Sequence, residues 1–194
     1  MRRGFAVCAL SGILLAAPAA AAAQRVAVDL RTVGAAATQR LAGADLSVGV
    51  GFGATVAYFV QPHLAVYGGW DWLHFQANRS FAGLDMDFEE TGYTLGLRFE
   101  HPLVRGSHPL FRIEGGGTYK HLEIEDVGGD IVADSGHELG FEAGGGVVFA
   151  IGANWRLTPT VRFRTLSPAF EITGVETRTD LRYVGIELGL SRRF

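Results

Sequence analysis

The end of this chain alternates. Counting back in twos from the terminal residue gives Phe194, Arg192, Leu190, Leu188, Ile186 and Val184, and the interleaved set is Arg193, Ser191, Gly189, Glu187, Gly185 and Tyr183. Successive side chains of a β-strand point to opposite faces, so a period of two marks a strand lying between two different environments. One face is apolar except for Arg192, and the other is small, polar or charged.

The same alternation recurs upstream and predicts eight strands, at about 25–35, 44–60, 64–77, 87–100, 110–124, 137–151, 155–167 and 180–194. Leu46, Val48, Val50, Phe52, Val56, Tyr58 and Val60 oppose Ser47, Gly49, Gly51, Gly53 and Thr55, with Phe59 the exception. Tyr93, Leu95, Leu97 and Phe99 oppose Gly92, Thr94, Gly96 and Arg98, and Trp155, Leu157, Val161 and Phe163 oppose Arg156, Arg162 and Arg164. The connections alternate in length. Gln61-Pro62-His63 and Gly152-Ala153-Asn154 are tight and His101 to Pro109 is of medium length, whereas 36–43, 78–86, 125–136 and 168–179 are longer. The expected fold is all-β, an eight-stranded antiparallel up-and-down barrel.

The N-terminus carries Arg2 and Arg3, a largely apolar run from Phe5 to Ala17, Pro18, and a small-residue tract from Ala19 to Ala23. This reads as a Sec signal peptide over residues 1–23, with the barrel domain at 24–194. The run is shorter than the ~20 residues that a spanning helix needs. The only cysteine, Cys8, lies in this segment, so no disulfide stabilises the mature chain. Without Arg2 and Arg3, 15 Lys and Arg face 20 Asp and Glu, a net charge of −5. That balance excludes a nucleic-acid partner.

An apolar face can point inward, as in a soluble barrel, or outward to lipid. Aromatic spacing favours lipid. Phe111 and Tyr119, Phe141 and Phe149, and Trp155 and Phe163 each stand eight residues apart on one face. On strands tilted by ~40° that separation rises about 20 Å, close to the roughly 25 Å apolar band of a membrane barrel between its aromatic girdles. The girdle is expected to comprise Phe99, Phe111, Tyr119, Phe141, Phe149, Trp155 and Phe163. Short turns then face the periplasm, and the four long loops face outward.

The signal, the alternating Tyr183–Phe194 strand and the Gly144-Gly145-Gly146-Val147-Val148-Phe149 stretch together resemble the small eight-stranded bacterial outer-membrane barrels. That family includes the transmembrane domain of outer membrane protein A and the adhesion-type barrels. The resemblance implies an integral cell-outer-membrane location after Sec export, a monomer, and contact with outer-membrane lipid and lipopolysaccharide. It also implies the barrel-assembly machinery as a partner, with the assembly signal falling on Tyr183, Leu188, Gly189, Leu190 and Phe194. Arg192 departs from the ideal lipid face, but at the periplasmic rim a long side chain can snorkel to water.

A barrel of eight strands is just wide enough to be filled by side chains. The inward set is expected to include Asp29, Arg31, Asp71, Arg98, Glu100, Arg112, Glu114, Lys120, Glu138, Glu142, Arg162, Arg164 and Glu187. Charges there need partners. The expected arrangement is a paired plug carried by Arg98, Arg112, Glu114, Glu142, Arg162, Arg164 and Glu187, and the alternative is a narrow conduction path.

Asp134, Ser135 and His137 could form a nucleophilic set, but such residues are ordinary loop formers. No catalytic residue is assigned. The acids Glu123, Glu125, Asp126, Asp130 and Asp134 crowd one loop without calcium-loop spacing, and the histidines at 63, 74, 101, 108, 121 and 137 lack zinc spacing. No metal or cofactor is assigned. Pro159 falls opposite about Val147 beside the glycine run, which predicts a weak seam. The function expected is non-enzymatic, structural or surface-interacting through the outer loops. The alternatives are a channel or lateral transporter of small apolar molecules, and a lipid A-modifying enzyme.

Overall fold

The computed structural model describes residues 25–104, 109–172 and 174–194. The signal-peptide reading and His108 lie outside the described residues. The elements are β1 (Val26–Ala37), β2 (Gly49–Gln61), β3 (Leu64–Arg79), β4 (Leu84–Pro102), β5 (Leu110–Glu125), β6 (Ile131–Asp134), β7 (Glu138–Ala150), β8 (Trp155–Leu166), β9 (Ala169–Ile172), β10 (Val175–Arg178) and β11 (Leu181–Arg193).

Eight of these, all but β6, β9 and β10, form one antiparallel ring. Chain neighbours pair throughout, and β1 pairs with β11 from Ala27↔Arg193 to Ala37↔Tyr183. That last ladder removes both sheet edges, which would otherwise be open to pairing with other chains. Register is strictly specified, because a slip of one residue would turn every apolar side chain into the lumen.

The three short strands were not expected. Strand β6 folds back on the outer end of β5, with Glu123 opposite Asp134. Strands β9 and β10 make a hairpin within the last outer connection. The second barrel strand starts at Gly49, not near residue 44, because the preceding segment roofs the lumen. Leu41 and Ala44 form an isolated bridge there and are fully buried. Leu46, expected on the lipid face, packs against the same inner cluster.

The outer wall carries the apolar residues: Leu30, Leu95, Val161 and Ile186 are all more than half exposed. The lumen has three levels. Ala27, Ala57, Phe59, Ala65 and Tyr67 form a small apolar layer at the periplasmic end. A charged layer fills the middle. Above it lies an apolar cluster that includes Val33, Leu73, Phe75, Phe88, Leu122, Ile124 and Leu181. The outer connections complete that cluster with Leu41, Ala44, Phe81, Ala133 and Phe170. Phe81 meets Phe88 at 6.3 Å and Phe170 at 5.7 Å, which ties two outer connections together.

Inward glycines make room for large neighbours. A Cβ on Gly96 would lie 2.8 Å from the Tyr67 ring, and one on Gly53 would lie 2.8 Å from Asp71 Cβ and 3.2 Å from the Arg31 guanidinium carbon. This use of small residues beside large ones lets a narrow barrel hold arginine and tyrosine.

A charge placed on the outward face should expose this orientation. Leu95→Arg and Ile186→Arg, at positions 68% and 70% exposed, should each cost about 2–4 kcal/mol of stability in lipid vesicles. Val127→Arg, in an outer loop, should stay within roughly 0.5 kcal/mol. Urea unfolding in vesicles measures both, and equal losses at all three positions would contradict a lipid-facing wall.

Candidate functional site

Alternation along each strand delivers the charged side chains to the same interior. Among the described residues, seven bases and seven acids there form one connected set. Arg164 reaches Glu142 at 2.8 Å and Asp71 at 3.1 Å. Arg162 reaches Glu142 at 2.7 Å, Glu187 at 3.0 Å and also Glu114. Arg98 joins Glu114 to Asp29, the latter at 2.6 Å. Arg112 meets Glu100 at 2.7 Å, and Arg193 meets the other oxygen of Glu100 at 2.6 Å. Towards the outside, Arg31 holds Asp71 at 2.9 Å, and Lys120 bridges Asp71 and Glu90.

Two tyrosines extend the set. The Tyr67 hydroxyl donates to Glu142 Oε1 at 2.8 Å. The Tyr183 hydroxyl donates to Glu90 Oε1 at 2.8 Å and accepts from Arg164 Nη1 at 3.3 Å. The Arg98 guanidinium also lies 5.6 Å from the Tyr67 ring centre. Every one of these carboxylates is buried, so each needs the partners it has.

The seven charges expected to form the plug, Arg98, Arg112, Glu114, Glu142, Arg162, Arg164 and Glu187, are all brought into this network. Asp29, Arg31, Asp71, Glu100 and Lys120 also join it. Glu138 does not. It is half-buried opposite Lys120, whose ammonium is held instead by Asp71 and Glu90. Sequence reasoning passed over Glu90, Tyr67 and Arg193. Glu90 shares the parity of Thr94 and Arg98, and Tyr67 that of Asp71, so alternation was the available signal.

On the outer wall, Phe99 and Phe111 meet at 5.8 Å near the periplasmic end, with His63 and His101 beside them. Phe149 and Trp155 are also exposed there. Tyr119 stands opposite Tyr93 towards the outer end, and Phe141 meets Phe163 at 6.0 Å. Phe52, Trp70 and Trp72 add a cluster that the eight-residue spacing did not reveal. Of the residues assigned to an assembly signal, Leu188, Leu190 and Phe194 face outward, Gly189 borders an inner cavity, and Tyr183 is buried in the lumen. Arg192 lies over the rings of Trp155 and Phe194, at 5.7 and 4.9 Å.

Asp134, Ser135 and His137 do not assemble into a relay. Ser135 Oγ donates to the Gly136 carbonyl and accepts from the Leu122 amide, and Asp134 accepts from the Gly136 amide. His137 stacks on His121 at 4.6 Å. The His121 ring nitrogen lies 3.6 Å from Glu123 and 3.5 Å from Asp134. These three offer ligand atoms within 4.8 Å of one another, as do Glu89, Glu123 and Glu125. Spacing rules missed both groups because the β5–β6 and β4–β5 pairings create them.

The β7–β8 ladder pairs Gly146 with Thr160 and Phe149 with Leu157, but leaves Val147 and Val148 unpaired against Pro159 and Thr158. Proline has no N–H to donate there. The strands remain close, since a Cβ on Gly146 would lie 2.3 Å from the Pro159 carbonyl.

Removing one acid should disrupt the network sharply. Glu142→Gln removes one counter-charge shared by Arg162 and Arg164, and should destabilise the barrel by about 3 kcal/mol. Arg182→Gln, whose ion pair with Asp180 is exposed, should cost no more than about 1 kcal/mol. Urea titration of both variants against the parent protein tests the contrast.

Known proteins share this architecture. Neisserial surface protein A matches with a TM-score of 0.61 and 14% identity, covering 87% of this chain and 96% of that one. Outer membrane protein W of Escherichia coli matches at 0.55 and 14%, covering 89% and 98%. Ail, the attachment invasion locus protein of Yersinia pestis, solved with the heparin analogue sucrose octasulfate, matches at 0.54 and 14%, covering 88% and 98%. No curated protein sequence matches. At this identity the structural likenesses establish the fold alone. The family model described as outer membrane protein β-barrel domain matches residues 5–194. The chain therefore belongs to the outer-membrane β-barrel family, as an integral outer-membrane protein.

Proposed function

We propose that this protein is a non-enzymatic surface barrel that acts through its outer loops and strand extensions, with a lumen closed to ions. One observation carries the reading: the connected network of seven bases and seven acids, roofed by the apolar cluster. A cavity of about 20 Å³ beside Asp29 and Arg98 leaves room for roughly one water.

The outer surface points to the kind of partner. Beyond the Tyr93–Tyr119 pair, residues 72–91 and 121–137 carry Asp85, Asp87, Glu89, Glu90, Glu123, Glu125, Asp126, Asp130 and Asp134. Glu90 is committed to the lumen, and Arg79 is the only Lys or Arg in the same stretches. Desolvation, then Glu89, Glu123 and Asp87, raise the Glu125 carboxyl above its ordinary range. Such a surface fits a cationic partner, or lipopolysaccharide phosphates bridged by divalent cations. It would repel a polyanion of the kind bound to Ail.

Planar-bilayer recording of the purified protein should show no steady conductance, and immobilised protein should retain polylysine but not sucrose octasulfate. Steady ion currents would overturn the closed lumen, and the reverse binding preference would overturn the acidic docking surface. Lipid A left unaltered in mass when the protein is expressed would agree with a non-enzymatic role.

Export by the Sec route, a monomeric state and recognition by the barrel-assembly machinery belong to the same reading. Phe194 is more than half exposed at the periplasmic rim, and its amide donates to the Val26 carbonyl at 2.8 Å. Deleting Phe194 should lower the folded fraction in cells severalfold while leaving refolding in detergent nearly unchanged. Heat-modifiable mobility on gels measures both, and equal losses would reduce Phe194 to a packing residue.

A further inference from the structure

The seven-to-seven balance of the lumen excludes one inward-facing base. Arg156 shares the parity of Thr158, Thr160, Arg162 and Arg164 on β8, all buried. Among the described residues it has no carboxylate partner. Its Nε and Nη1 atoms are buried without a hydrogen bond. Two acids towards this end of the lumen are already ion-paired: Glu100 with Arg112 and Arg193, and Asp29, which stands opposite Ser191 in the β1–β11 ladder, with Arg98.

Two further orphans lie on the same patch of wall. Ser191 stands directly opposite Arg156 in the β8–β11 ladder, and Thr158 stands opposite Gly189. Both side chains are 2% exposed, and both hydroxyls lack a partner. Thr158 also borders the cavity of about 20 Å³. An uncompensated guanidinium beside two unused hydroxyl donors, largely shielded from water, is an environment that favours negative charge.

We propose that the periplasmic mouth of the lumen holds one small inorganic anion, of halide size, on Arg156, Ser191 and Thr158. The guanidinium supplies the charge and two N–H donors, and each hydroxyl turns its proton toward the ion. The anion restores neutrality at the end of the network. A lipid headgroup is excluded by position, since all three side chains point into the barrel. The site is independent of any role of the outer loops.

Bromide in place of chloride is the probe. Crystals of the full barrel grown in sodium bromide should show an anomalous peak at Arg156, and crystals of Arg156→Gln should not. Urea unfolding in detergent, with bromide exchanged for gluconate at constant ionic strength, gives a second readout. An ion held with a dissociation constant of roughly 10 mM would raise the folded-to-unfolded ratio about tenfold at 100 mM bromide. Arg156→Gln should abolish that response, and Arg192→Gln, on the outward face, should keep it. If Arg156→Gln does not fold, Ser191→Ala retains the charge and should still weaken the bromide response. Water in place of bromide at Arg156, or equal bromide responses in the parent protein and the Arg156 or Ser191 variant, would overturn the site.

Discussion

The pairing of buried charges across the lumen is the interaction on which the rest of this barrel depends. Arg162 and Arg164 each touch carboxylates from more than one strand: Glu142 on β7, Glu187 on β11, Glu114 on β5 and Asp71 on β3. Two neighbouring inward arginines on β8 thereby reach four other walls. Buried ion pairs of this kind add little net stability compared with an apolar filling, because desolvation offsets their attraction. Their consequence is geometric. A barrel with a shifted register would strand charges in a medium where they have no solvent, so the network penalises wrong closures more than it rewards the right one.

Outward, the solvent is lipid, and the logic of a soluble fold is reversed. Leu95 and Ile186 are exposed because a hydrocarbon phase receives them. Every backbone group in that phase needs a partner within the protein, and the closed ladder supplies it. The β1–β11 pairing is the step that removes the last open edge, so the β11 strand and its terminal Phe194 bear on closure as a whole. The interruption at Pro159 is tolerated because β8 is still laddered to β11 along its length, with Leu188 opposite Pro159.

The lumen is asymmetric along its axis. Its outer third is an apolar core built partly from connections, with Phe81 and Phe170 in contact beneath the surface. Loops that contribute buried side chains are held in place by the same hydrophobic effect that stabilises a soluble domain. A surface presented on such loops is preorganised, which lowers the ordering cost of binding to it. At the periplasmic end charge reaches the rim beside the small apolar layer: Arg193 lies over Phe59 at 3.8 Å, and Arg156 has no carboxylate partner among the described residues.

Much of this was legible in the sequence, because a strand in a membrane barrel states its surroundings one residue at a time. Alternation identified the eight barrel strands, the lipid face, most of the inward charges and the short and long ends. Periodicity could not identify which groups meet across the lumen. Tyr183 and Glu90 lie 93 positions apart, as do Asp71 and Arg164, and nothing local links them. The same limit explains why Glu138, half-buried opposite Lys120, stays out of the network: Lys120 turns instead to Asp71 and Glu90, which β3 and β4 bring to it. The inward fold of the outer connections, with Leu41 and Phe170 as core residues, was likewise invisible, since loops carry no period. Local chemistry determined the face of each residue; closure of the barrel decided its partner.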